Sequence, residues 1–178
     1  MFIKKIKGIH IASLVIIIFL ISGCFNKYLH IKYPEAFDAN GEYIEKGKSQ
    51  IYVSEDGSYN YRINETNNTI ELISYNDETE KTIKVPQEID GYTVIAIGET
   101  VYAYHTELEK LYIPKNIKKV RLAFVAGCNN LKEIVFEDDV DEIERYAFDD
   151  FFGYVVVDKK SNIYEYCKKN KIRIKEGK

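Results

Sequence analysis

A chain of 178 residues with a formal charge of −3 has room for one domain plus an extension. Its acidic balance excludes nucleic acid as a natural partner, because phosphates demand clustered Lys and Arg. Three cysteines are too few for a disulfide scaffold, and no zinc-protease motif, Gly-x-Ser-x-Gly elbow or phosphate-binding loop is present.

The first predicted element is an N-terminal signal helix over residues 1–23. Lys4, Lys5 and Lys7 form a basic start, and an apolar run follows from Ile9 to Ile21. That run is short for a membrane span, which needs about 20 apolar residues, and suits an export signal. It stops at Ile21-Ser22-Gly23-Cys24, which resembles the lipobox of bacterial lipoproteins. The resemblance implies cleavage before Cys24 and a lipid on its sulfur, with the protein held on the extracytoplasmic side of the cell membrane. Phe25 rather than Asp follows the cysteine, so by the same resemblance no inner-membrane retention signal is evident, which leaves the outer membrane open if the cell has one. Acyl chains contribute about 0.8 kcal/mol per buried methylene, so two or three anchor stably. A plain membrane anchor with an incidental cysteine is the competing reading. The signal carries no acid, so the mature chain moves from −3 to about −6.

Residues 24–48 mix charge, Tyr, Asn and Gly without periodicity and read as a tether. One domain, 49–178, follows. It opens with Ile51-Tyr52-Val53, the turn Glu55-Asp56-Gly57, the alternating run Tyr59 to Ile63, Asn67-Asn68, and the run Thr69 to Ile73. Asp-Gly between alternating runs signals a hairpin, so a small antiparallel meander is expected.

The rest of the chain repeats itself. Ile97, Val120 and Ile143 lie 23 residues apart, as do Leu108 and Leu131, and Ile113 and Phe136. Such a period predicts a solenoid in which stacked units share one core. The fold expected is mainly β (α+β). Three repeats of about 23 residues are placed at 82–110, 111–133 and 134–157, with a C-terminal cap over 158–178.

Val85-Pro86, Ile113-Pro114, Ala123-Phe124, Cys128, Leu131 and Ala147-Phe148 resemble the BspA-like leucine-rich repeats of bacterial and protist surface proteins. Residues 88–94 are similar to the turn that opens the family's first full repeat. The tail, with Ser161 capping a helix through Asn170 and Lys171–Ile174 as a strand, is similar to the family's closing unit. The likeness spans 59–176. The middle copy reads as carrying its Ala-Phe one residue early, a deletion restored before Cys128. Family membership implies binding rather than catalysis.

Three constellations remain. His105, Cys128 and Phe151 share one repeat position, which places His105 and Cys128 on neighbouring rungs. A Cys–His pair is the raw material of a thiol-dependent hydrolase; the alternative is an inert core rung. Glu137, Asp138, Asp139, Asp141, Glu142 and Glu144 form an acidic cluster that lacks calcium-loop spacing and reads as a solvated edge. No metal or cofactor is expected. The strand triplets place Lys84, Tyr112, Val135 and Val156 outward, as a candidate binding face. The expectation is a monomeric, non-enzymatic, lipid-anchored cell-surface module that engages a protein or glycan. A thiol hydrolase and a purely structural envelope protein are the other readings.

Overall fold

A computed structural model describes residues 50–64 and 66–177; the expected signal over 1–23, the expected tether over 24–48, and Cys24 with Ile21, Ser22 and Gly23, expected as its lipobox, lie outside the described residues. In chain order the elements are β1 (Ile51–Val53), β2 (Tyr59–Asn64), β3 (Thr69–Tyr75), β4 (Thr82–Lys84), β5 (Glu88–Ile89), β6 (Tyr92–Ile97), β7 (Lys110–Ile113), β8 (Lys119–Val120), β9 (Glu133–Phe136), β10 (Glu142–Ile143), β11 (Tyr154–Val157), α1 (Asn162–Lys169) and β12 (Arg173–Glu176).

The antiparallel meander is present. Ile51 faces Arg62 and Val53 faces Asn60 across β1 and β2, and Ile63 faces Ile70 across β2 and β3. Its first turn is held by side chains. The Asp56 carboxylate accepts from the Ser54 hydroxyl and the Ser58 N–H, and Gly57 takes φ 75°. The meander does not stand apart from the solenoid. β3 pairs parallel with β6, so Ile70 meets Val94 and Leu72 meets Ile97, and the sheet continues through β8 and β10. The third meander strand is therefore the first rung of the solenoid.

The second sheet has five parallel strands in the order β12-β11-β9-β7-β4. Ile83, Leu111, Ile134 and Val155 stack along it and are buried, with Ile174 half-buried at the end. Leu72, Ile97 and Val120 form the matching column on the first sheet and are fully buried. Leu108, Ile117, Phe124 and Leu131 belong to the same cluster. Each such side chain contributes roughly 1.5–3 kcal/mol by leaving water. The polar residues between them point out, which is the period-2 pattern of a strand with one buried face.

The turns that join the sheets repeat in the backbone. Thr100, Ala123 and Tyr146 are left-handed at φ 56°, 53° and 62°, and Tyr104, Gly127 and Asp150 at 64°, 72° and 54°. Both sets keep the 23-residue interval, so the expected deletion in the middle copy is absent. What changes there is the order of side-chain sizes. Val101-Tyr102 and Ala147-Phe148 run small then large, whereas Phe124-Val125 runs large then small. All six are buried, and Phe124 meets Phe148 edge-on at 5.2 Å. The core accepts the swap between Val101-Tyr102 and Phe124-Val125 because their summed volumes are similar.

The cap closes the far end. Ser161 is the N-cap of α1 and accepts from the Tyr164 N–H at 3.2 Å. Asp139 of the preceding repeat adds a second cap, accepting from the N–H groups of Asn162 and Ile163. The helix stops at Asn170. Lys171 then turns left-handed at φ 58°, and the Ile172 N–H reaches the Cys167 carbonyl at 2.9 Å while the Lys171 N–H reaches Lys168. This terminating turn pushes the closing strand to Arg173–Glu176, two residues later than the sequence predicts.

Candidate binding face

The strand registers lay out a grid on the outer surface of the five-stranded sheet. One row reads Thr82, Lys110, Glu133, Tyr154 and Arg173; the next reads Lys84, Tyr112, Val135, Val156 and Lys175. Lys84, Tyr112, Val135 and Val156 thus occupy neighbouring outward positions. Lys84 is exposed and the other three are half-buried. Lys110, Glu133, Tyr154, Arg173 and Lys175 complete the face. Triplet reading missed the Lys110 row because it centred each strand on one outward residue. The signal was available, since Lys110, Glu133 and Tyr154 each sit two residues before an outward position.

The electrostatics of this face invert those of the chain. Lys84, Lys110, Arg173 and Lys175 oppose a single carboxylate, Glu133, leaving +3 on a chain of formal charge −3. Glu133 is itself paired with Lys110, and Lys175 approaches it at 3.6 Å. The bond to Lys110 holds the Glu133 carboxyl below its ordinary range, and Glu133 raises the Lys110 ammonium. The aromatic rings position the cations. Lys110 and Lys84 lie 4.9 and 5.8 Å from the Tyr112 ring centre, and Arg173 lies 4.7 Å from that of Tyr154. A depression of about 340 Å³ beside Tyr112 is bounded by Lys84, Gln87, Pro114 and Glu137.

The sulfur chemistry points elsewhere. Cys128 and His105 do come together, but both bond the same atom. The Cys128 thiol donates to the Tyr102 carbonyl at 2.8 Å, and His105 Nδ1 lies 3.1 Å from that oxygen. Both residues are buried, and burial pushes the Cys128 thiol up to about 11. A nucleophilic cysteine needs the opposite shift. Cys167 is also a buried free thiol, raised by burial to about 12.

Several members of the acidic cluster have structural partners. Asp139 caps α1, Glu142 pairs with Lys119 at 2.5 Å, and Glu144 bonds Arg121 at 2.7 Å. Among the described residues no group of three metal-ligating side chains converges. A larger cleft of about 670 Å³ lies between the β1–β2 turn and β4–β5, with Glu55, Asp56, Glu88 and Asp90 on its walls. Asp90 accepts from the Tyr61 hydroxyl and the Glu55 N–H, and Asp56 from Ser54 and Ser58.

The repeat geometry defines a leucine-rich-repeat solenoid. The BspA type leucine rich repeat region matches residues 49–152 and 95–176, and the chain belongs to this family. Among solved structures it is similar to a leucine rich cell surface protein from Faecalibacterium prausnitzii, at 22% identity and a TM-score of 0.50. That likeness covers 65% of this chain and 38% of the other, and it concerns the fold. No curated protein matches the chain.

Proposed function

We propose that the protein is a lipid-anchored cell-surface module that engages a macromolecular partner, protein or glycan, through the outer face of its five-stranded sheet. The observation that carries this reading is the face itself: ten contiguous outward positions with ordered cations and two tyrosines, on a chain that is otherwise acidic. Interfaces draw their affinity from such aromatic and Arg positions. The family supports a binding role, and the relative from Faecalibacterium prausnitzii is described as a cell surface protein. The lipid anchor rests on Ile21-Ser22-Gly23-Cys24 alone. A hydrolase using Cys128 and His105 has no support in the geometry, since the thiol is buried and held protonated.

The test is capture on bacterial and host-cell surfaces by the full chain, compared with a variant carrying Lys84→Gln, Lys110→Gln, Arg173→Gln and Lys175→Gln. Saturable capture by the native chain and its loss in the variant are expected. Equal capture by both refutes the assigned face, and no saturable capture by either leaves a structural envelope role as the better reading.

A further inference from the structure

We infer that the partner of this face is an anionic polysaccharide, a chain of pyranose rings carrying carboxylate or phosphate groups. The inference rests on the binding reading above and specifies its chemistry. Three observations carry it. The first is charge complementarity, since the ten positions sum to +3 and Glu133, the one carboxylate among them, is bonded to Lys110 and approached by Lys175, with Glu137 at the rim. The second is the placement of the cations. Lys84 and Lys110 occupy β4 and β7 at one side of the sheet, and Arg173 and Lys175 start from the edge strand β12 at the other, Lys175 reaching inward to 3.6 Å from Glu133 and Arg173 staying over Tyr154. With neighbouring strands ~4.8 Å apart, β4 and β12 are roughly 19 Å apart. The third is what lies between them: Val135 and Val156 give a shallow aliphatic floor, flanked by Tyr112 and Tyr154, whose rings carry the cations. A pyranose chain offers that combination, with C–H-rich ring faces for the floor and acid groups spaced for the two cationic sides.

An acidic peptide fits less well. In extended form it turns alternate side chains to opposite faces, so half its carboxylates leave the sheet. A peptide seeking backbone bonds would add at a free strand edge rather than lie on the face. The cations are also ordered before any ligand arrives. Tyr112 and Tyr154 hold three of them over their rings, which lowers the rotamer entropy lost on binding.

The experiment uses the full chain in detergent and a fluorescently labelled tetragalacturonate, read by anisotropy. Saturable binding is expected, weakening about tenfold between low salt and 0.3 M NaCl because the exposed charges are screened. Glu133→Gln tightens it severalfold by removing the opposing carboxylate. Tyr112→Leu with Tyr154→Leu weakens it about tenfold, with circular dichroism confirming an unchanged fold. Neutral maltotetraose does not bind. Absence of tetragalacturonate binding overturns the inference. So does equal affinity for pentaglutamate, or face-dependent binding to phosphatidylglycerol vesicles in its place. Face-dependent capture on cells without tetragalacturonate binding removes the glycan assignment and leaves the binding reading standing.

Discussion

Single residues decide how closely the rungs stack. Gly98 follows Ile97 on the first sheet, at the repeat position that Arg121 and Glu144 occupy in the next two turns. A Cβ there would lie 2.4 Å from the Leu72 carbonyl oxygen and 3.5 Å from Glu71 Oε1. The absent side chain lets Arg121 bridge Glu71 and Glu144, with both carboxylates bonding one guanidinium. Burial alone would lower Arg121, but the two carboxylates outweigh it and its net shift is upward. Gly98→Ala is expected to cost about 1–3 kcal/mol, since the obstacle is backbone and cannot rotate away; a melting temperature equal to the native one would refute the close approach. The two free cysteines give a pH-dependent counterpart. Folding raises the Cys128 thiol from 9.0 to about 11, so the folded state holds its proton more tightly than the unfolded chain. The stability that the buried thiol contributes is full below pH 9.0 and is lost as pH rises toward about 11. Denaturant midpoints measured across that window should fall, and Cys128→Ala with Cys167→Ala should flatten part of the slope. Iodoacetamide should label neither thiol until the protein is unfolded; native labelling of Cys128 at the rate of an exposed thiol would revive the hydrolase reading.

Elements show which structure the sequence makes legible. Alternation in Tyr59–Ile63 and Thr69–Ile73 locates β2 and β3, and Asp56-Gly57 locates their preceding turn, because both signals are local. The parallel pairing of β3 with β6 is not local, and nothing in residues 69–75 distinguishes a meander strand from a first solenoid rung. The Asp139 cap was hidden for a related reason: its partners, the N–H groups of Asn162 and Ile163, lie one repeat later. The outward face was half legible, since inward Ile83, Leu111 and Ile134 fix the parity of each strand but not its length. The left-handed turns escaped notice because five of the six repeat positions are not glycine. Lys171 is a further left-handed residue, and there the cost can be recovered. Its side chain is exposed and its backbone completes the terminating turn of α1. Lys171→Gly should stabilise the domain by about 0.5–1 kcal/mol, by removing the left-handed penalty of a residue with a Cβ. Asp139→Ala should act in the opposite direction by about 1 kcal/mol through loss of the inter-repeat cap. Thermal melts of both variants check the pair; a destabilised Lys171→Gly protein would show that the turn draws on contacts of the lysine side chain.

At the scale of the whole molecule, the proposed function joins two features, the outer face of the five-stranded sheet and the N-terminal segment that ends at Cys24. One cluster of buried residues runs from the meander to the cap, so the proposed face is formed by the domain's own core. Lipidation would then change location rather than affinity, and the two are separable by experiment. Cys24 supplies the thiol on which diacylglycerol would be placed, and Ser22 and Gly23 are the small residues a signal peptidase site admits. Cys24→Ser keeps the size and removes the thiol. Expressed in a bacterium fed labelled palmitate, the native chain should carry label and run at its processed size. Cys24→Ser should carry none and accumulate as the longer precursor. The detergent-purified variant should still bind whatever the native face binds, with unchanged affinity, because position 24 lies 25 residues before the domain begins at 49. Label that persists in Cys24→Ser would show that the lipid sits elsewhere, a native chain without label would show that the N-terminal segment is a plain anchor, and intact binding in the same protein would leave the face untouched by either result.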